Sequence, residues 1–559
     1  MSGMVRGLGW AVLALCLATG CGDVDSPGGG DGGSGGKGDG GSGGSGGGGS
    51  GGGGDVPSLG PIEWTQCSYQ GVQHECAEVE VPLDWSDASS ERISFFLRRV
   101  AASPAATKGQ LWLLEGGPGF AGESFVPFAA FFNQLGFDVY IPDYRGTGHS
   151  TPLVCEGEEG RDTSPACKEE IVERYGDDLR FFSTTDAALD IGKAIDAVRG
   201  EDEKVFLYGT SYGTFLLNRY LTLFPDQPDG VVFDSICPAG GCSLHMDRGI
   251  DGVAKTVFDA CGQDAFCSAR LSSEPWEKLA DLQARLADGH CPAFAPRFGR
   301  EALSMVIASM LDDRRLVPAA MASVYRLDRC TQEDAAAVRF LLEQVVPGAG
   351  FTLATSAPYS DFLYRHIVFS EFWRDLTPAE LLAELDDLVV APGYSYSIVD
   401  MHEAWNVPVH ETPAELYRWA DSSTPVLMLN GTLDTRTPIA DVADMREAFS
   451  RQNQTFLEVP WGGHGSIMEG HADVGMGTCG FKLVADFLQG PTAARDTSCL
   501  DGLELLDFEG AALPSDALFG TGDLWENGVG HAIAAPPEPW VASALQRAAK
   551  RNGPPRWIR

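Results

Sequence analysis

Short apolar runs cut off by turn-rich clusters alternate along this chain with longer stretches in which apolar side chains return every three or four positions. The runs at 110–114 (QLWLL), 137–142 (FDVYIP), 205–208 (VFLY), 231–234 (VVFD), 424–429 (TPVLML) and 455–460 (TFLEVP) predict strands buried on both faces. Between them, 123–136, 215–226 and 439–450 carry the helical period, and each begins or ends at a glycine or proline signal. Strand and helix in alternation predict an α/β fold, with a mostly parallel central sheet and helices on both faces.

The junction after 205–208 carries the first chemistry. Gly209-Thr210-Ser211-Tyr212-Gly213 places a serine between two glycines where a strand hands over to a helix. A hydroxyl at the tip of such a strained turn stands clear of the sheet, and the glycines are required because a Cβ two residues to either side has no room. Alone the pattern is weak in a chain of 69 glycines. Two residues further along the chain give it weight. Asp434 lies in the loop leaving the strand at 424–429, and His464 lies between glycines after the strand at 455–460. Serine, then acid, then histidine is the chain order of an α/β-hydrolase triad, in which histidine activates the serine and the acid orients the histidine. Asp234 ends the run at 231–234 and is a rival for the acid. The oxyanion donors expected are the N–H of Tyr212 and an N–H from the glycine loop after 110–114, where Gly117 is the choice because Pro118 has none.

That same loop supports a competing enzyme class. Gly117-Pro118-Gly119-Phe120-Ala121-Gly122 matches G-x-G-x-x-G after a strand, and Asp143 follows about 20 positions on, as in a dinucleotide-binding oxidoreductase. This reading leaves Ser211, Asp434 and His464 without a purpose.

Glu115-Gly-Gly-Pro-Gly119, Asp143-Tyr-Arg-Gly-Thr-Gly-His-Ser150, the Gly209–Gly213 elbow, Gly431-Thr-Leu-Asp434 with Pro438, and Gly463-His464-Gly465 together resemble the α/β-hydrolase peptidases related to prolyl and tripeptidyl aminopeptidases. The resemblance runs from about Ile62 to Cys499, and the closing pattern Cys479 to Cys499 is similar to the tripeptidyl aminopeptidase branch. It implies a serine aminopeptidase acting through Ser211, Asp434 and His464 and an acyl-enzyme, with no cofactor and no metal. An esterase or lactonase would share every catalytic residue. Two departures stand out. The branch usually continues Gly-Ser-Gly where this chain has Phe120-Ala121-Gly122, which makes the floor of the site bulkier, and Glu115 stands where the proline-specific members have histidine.

Ser211 and Asp434 are 223 positions apart, far more than two or three βα units of about 30 residues each require. The surplus predicts a large, mainly helical cap at 237–420, with amphipathic stretches at 276–288 and 377–389, over a core made of 59–236 and 421–500. A cap favours short peptides or small molecules as substrates. Within it Glu371, among aromatics, resembles a Cys-x-Glu motif of the family and is the candidate for holding a substrate's amino terminus.

At the amino end, Arg6 and an apolar run at 8–18 read as a signal peptide over 1–20, and Thr19-Gly20-Cys21 resembles a lipobox with Cys21 as the lipidated residue. The glycine- and serine-rich stretch within 21–58 is a flexible tether with a span of about 30 Å. Export, as a lipoprotein of the cell envelope or by ordinary secretion, agrees with the cysteines. Of 14, Cys16 leaves with the signal and Cys21 takes the lipid, so an even number remains for disulfides. Local pairs are expected, Cys67 with Cys76, Cys155 with Cys167 and Cys479 with Cys499. Cys237, Cys242, Cys261, Cys267, Cys291 and Cys330 could pair in several ways, and a zinc site on the first four of these ranks below disulfides. A formal net charge of −38 argues against nucleic acid, and against membrane binding other than through the lipid. The extension at 501–559 carries no legible function.

Overall fold

The structure is a computed structural model. It describes residues 59–551 except 103–106, 156–159, 297, 346–358, 469–476, 504 and 529–538. The expected signal peptide, the expected lipid site Cys21 and the expected tether lie outside the described residues.

Nine strands form one sheet: β1 (Thr65–Tyr69), β2 (Val72–Pro82), β3 (Arg92–Val100), β4 (Gly109–Leu114), β5 (Phe137–Asp143), β6 (Val205–Ser211), β7 (Gly230–Ile236), β8 (Val426–Gly431) and β9 (Gln454–Val459), in the order β1-β2-β3-β5-β4-β6-β7-β8-β9. β1 to β3 join antiparallel, and from β5 to β9 every pairing is parallel. The two parts differ in burial as their sequences do. β2 mixes exposed and buried positions, whereas β4, β7 and β8 are buried at every position. Successive side chains of the parallel strands go to opposite faces. Leu111, Leu113, Val139, Phe206, Val232 and Leu427 pack with the helices Val126–Gln134 and Cys479–Gln489, while Trp112, Leu114, Tyr140, Leu207, Phe233 and Met428 pack with Thr184–Val198 and Tyr212–Leu223.

Between β7 and β8 the chain leaves the sheet for a helical insertion with its own apolar core, built mainly on Met246–Gln263, Pro275–Ala287, Gly299–Leu311, Val317–Arg329 and Gln332–Val345. The helix expected over 377–389 is shorter than its period, Pro378–Ala383 running into a 3-10 turn. That expected over 439–450 is split into Ile439–Val442 and Met445–Ala448, although its apolar positions Val442, Met445 and Phe449 are all buried. Tertiary burial preserved the spacing of these residues without preserving one helix.

The carboxyl-terminal extension returns to the insertion. Phe508, Leu518, Phe519, Leu524 and Trp525 join its core, where full burial of Leu518 or Phe519 contributes about 1.5–3 kcal/mol each. Arg326, wholly buried, donates to the carbonyls of Asp523 (2.8 Å), Leu524 (3.0 Å) and Glu526 (2.9 Å) and pairs with Asp334. A buried guanidinium is tolerable only with such partners.

Twelve cysteines close as Cys67–Cys76, Cys155–Cys167, Cys237–Cys242, Cys261–Cys267, Cys291–Cys330 and Cys479–Cys499. The three expected pairs form, and the four sulfurs considered for zinc are consumed as disulfides. Among the described residues no helix is long and apolar enough to cross a membrane.

Behind the glycine loop, Arg98 pairs with Asp143 at 2.6 Å and lies 3.5 Å from Glu123. Burial, reinforced by the Asp143 charge and only partly offset by Arg98, pushes the Glu123 carboxyl up to about 7. The folded state therefore binds more protons than the unfolded chain between about pH 4.5 and 7, so this group's contribution to stability falls as pH rises through that window. In urea titrations Glu123→Gln should remove a fall on the order of 2 kcal/mol between pH 5 and 8. An identical pH dependence in both proteins would contradict this.

Candidate active site

Ser211 ends β6 and caps the helix Tyr212–Leu223 with φ 55° and ψ −130°, a left-handed backbone that a non-glycine residue seldom adopts. The turn closes because its glycines lack a Cβ: at Gly209 one would lie 2.4 Å from the Gly213 carbonyl oxygen, and at Gly213 2.3 Å from that of Leu114. Tyr212 is the first residue of its helix, where an amide has no carbonyl one turn behind it. From the other side the loop after β4 comes close, since a Cβ on Gly116 would lie 2.8 Å from Ser211 Cβ.

Asp434 follows β8 and is completely buried. Its carboxylate accepts from the backbone N–H of Arg436 and Thr437 (2.9 Å each) and from the Thr437 hydroxyl (2.8 Å), and it bonds His464 Nδ1 at 2.9 and 3.0 Å. Burial alone would raise the Asp434 carboxyl, but the His464 ring and the hydrogen bonds outweigh it and hold it below its ordinary value. His464 follows β9, and its loop is tied to the end of β7: Gly465 N–H donates to Ser235 Oγ (2.7 Å), while Ser466 and Ile467 N–H donate to Asp234 (2.7 and 2.8 Å). The neighbouring Ile236 pairs with Ser211 across β6 and β7. Ser211, Asp434 and His464 therefore all lie at the carboxyl-terminal ends of the parallel strands.

Asp234 is engaged differently from Asp434. It takes the Tyr208 hydroxyl (2.7 Å), the Ser235 hydroxyl (3.1 Å) and the two amides of the histidine loop, and the His464 imidazole bonds Asp434 instead.

Residues 111–265 match the family described as alpha/beta hydrolase fold, and residues 393–499 match the one described as TAP-like protein. The chain has the alpha/beta hydrolase fold, and its second matched stretch is similar to TAP-like proteins. The hydrolase is 28% identical over 211 residues to a tripeptidyl aminopeptidase of Streptomyces lividans, covering 31% of this chain and 38% of that protein. It is 24% identical over 281 residues to the serine protease Hip1 of Mycobacterium tuberculosis (44% of this chain, 53% of that one) and 29% identical over 162 residues to a proline iminopeptidase of Aeromonas sobria (28% and 36%). The chain thus spans between 36% and 53% of the length of these relatives.

In this hydrolase the dinucleotide reading fails on Asp143. That carboxylate is buried, bonded by the N–H of Gly122 (2.9 Å) and His149 (3.0 Å) and paired with Arg98, so neither it nor the Gly122 amide is available to a ribose or a phosphate. The glycine pattern serves a tight loop instead. Glu115, which in the sequence stands out only as a departure from the family, bonds the Gly116 N–H (2.9 Å) and the Ser124 hydroxyl. Burial pushes its carboxyl up, against the lowering effect of these bonds and of His464 close by.

Glu371 is wholly buried in a short π-helical turn, Val368–Phe372. It accepts from the N–H (2.8 Å) and hydroxyl of Thr184 and lies 3.5 Å from His410 Nε2, and the Thr184 hydroxyl is 2.8 Å from the Tyr212 hydroxyl. Glu371 lines a cavity of about 540 Å³ with Asp177, Asp186, His410 and Glu411. Ser211, Asp434 and His464 do not line it, so the link from this cavity to the elbow runs through Thr184 and Tyr212. Thr184 and His410 had no local signal, being partners of Glu371 only through the fold.

Proposed function

We propose that this hydrolase is a serine peptidase releasing residues or short peptides from free amino termini. The observation that carries it is the Asp434–His464 pair at the same, carboxyl-terminal, ends of the parallel strands as the strained Ser211. The two matched stretches contain Gly117, Ser211 and Tyr212 in one and Asp434 and His464 in the other, and the relatives are peptidases by name.

In the mechanism, Ser211 Oγ attacks the substrate carbonyl while His464 Nε2 takes its proton. Asp434, bonded to Nδ1, fixes the tautomer and stabilises the imidazolium. The developing oxyanion sits on the N–H groups of Gly117 and Tyr212. His464 then gives the proton to the leaving amine, the acyl group stays on Ser211, and water activated by His464 releases it. Glu371 is the candidate for the ammonium end of the substrate, since its carboxylate has acceptor sites beyond the two used by Thr184, and a substrate that reached it from Ser211 would have to pass the Thr184–Tyr212 contact. Export, with Cys21 as the lipid attachment, agrees with six disulfides.

The test compares peptide arylamides bearing free and acetylated amino ends with simple nitrophenyl esters. We expect the free-amine peptides to be turned over at least about tenfold faster in kcat/KM than the blocked ones, as loss of a charge-assisted contact requires. Ester turnover without arylamide turnover would replace the peptidase with an esterase.

A further inference from the structure

Phe120 stands next to the amide assigned to the oxyanion, and the residue is 37% exposed. A Cβ on Gly117 would lie 3.3 Å from Phe120 Cδ2, so the ring lies against the Gly117 backbone. The ring is held in place by main chain. Phe120 forms an isolated antiparallel bridge with Tyr359, the Ser360 N–H donates to the Gly119 carbonyl at 2.9 Å, and a Cβ on Gly119 would meet the Ser360 carbonyl oxygen at 2.6 Å. Ser360 in turn caps the helix Asp361–Ile367 and donates to the Leu153 carbonyl (2.7 Å), which anchors this segment of the insertion to the core. The Phe120 and Tyr359 rings meet at a centroid distance of 4.6 Å. An aromatic surface is thus fixed at the mouth of the site and left partly uncovered.

Sheet order says which part of a substrate meets it. The Phe120 loop follows β4, which flanks β6 on one side, whereas His464 follows β9, reached from β6 on the other side through β7 and β8. The leaving amine must face His464, which protonates it. The acyl side of the substrate, which carries the side chain of the residue supplying the attacked carbonyl, is then the side left to lie along the Phe120 loop.

We propose that Phe120, backed by Tyr359, is the apolar wall of the subsite for that side chain, so that the enzyme prefers a large apolar or aromatic residue immediately before the scissile bond. This rests on the serine hydrolase reading. A ring gains from burial against an apolar side chain. Glycine offers it no such contact, and a charged side chain would lose water against the ring without gaining a partner.

The experiment uses the full chain and free-amine peptide arylamides identical except for Phe, Leu, Ala, Gly or Glu before the arylamide. The wild-type kcat/KM for Phe should exceed that for Gly by about 10- to 100-fold, Phe120→Gly should lower this ratio about tenfold, and Phe120→Leu should hold most of it. A ratio unchanged in Phe120→Gly overturns the proposal, whether or not all rates fall together. So does a variant that alters preference only among different leaving arylamines. Turnover equally fast in Ser211→Ala would instead bring down the catalytic reading itself, an outcome visible before any ratio is taken.

Discussion

Replacing Ser211 with alanine should lower kcat on any accepted arylamide by about 10⁵-fold and leave the thermal midpoint where it was. The first half follows from chemistry. Without Oγ the proposed acyl-enzyme cannot form, and what would survive is the proposed binding of the carbonyl by the Gly117 and Tyr212 amides, an effect that elsewhere retains about 10³-fold over water. The second half follows from the backbone. Ser211 is held at φ 55° and ψ −130° by the close approach of Gly209 to Gly213 and of Gly213 to Leu114, and none of these contacts involves the hydroxyl. Alanine bears the same conformational strain as serine, about 1–3 kcal/mol, so no stability is released or lost. Intact mass after treatment with a fluorophosphonate gives an independent reading: one adduct on the wild type and none on the variant. Labelling of Ser211→Ala at the wild-type rate would move the nucleophile elsewhere.

The parts of the fold that could be read from the chain are those where local pattern and tertiary environment agree. A strand buried on both faces must be apolar throughout, and β4 and β8 are apolar enough to be seen at once. The elbow was legible because steric crowding forces glycine at Gly209 and Gly213, and local disulfides were legible because short loops bring their cysteines together. Legibility ended where partners lie far apart in sequence. Arg326 reads as one more basic residue on a helix, and only the return of 519–527 makes it the buried point of attachment for the extension. Glu371 likewise reads as an acid among aromatics, and its engagement by Thr184 depends on the insertion folding back over the sheet. Neither pairing leaves a period or a motif. Asp234 remained a rival to Asp434 for a related reason: one lies at the end of an apolar run and the other in the loop after one, and only the placement of the histidine loop distinguishes the acid that holds the ring from the one that holds the backbone beside it.

That distinction gives the second large effect. Asp434→Asn should lower kcat by about 10³- to 10⁴-fold with little change in KM. The carboxylate now accepts from two amides, one hydroxyl and His464 Nδ1, and an asparagine of the same shape must turn an NH₂ toward one of these donors. Facing the amides, it leaves them unpaired in a buried site. Facing His464, it requires an unprotonated Nδ1, which puts the proton on Nε2, where it can no longer be received from serine. Asp234→Asn meets the same arithmetic at a different place. Each of its oxygens takes one amide and one hydroxyl, so an NH₂ in either place opposes the amide of Ser466 or Ile467 while the hydroxyl of Ser235 or Tyr208 can turn to accept, and the cost falls first on the anchoring of the loop. We expect about 1–3 kcal/mol less stability and a smaller loss in kcat, on the order of tenfold to a hundredfold, because the imidazole keeps its own acid. Urea unfolding and steady-state kinetics on both variants separate the two roles. If Asp234→Asn shows the larger loss in kcat at unchanged stability, the acid of the triad is Asp234, and the short contact between Asp434 and the ring is a structural bond.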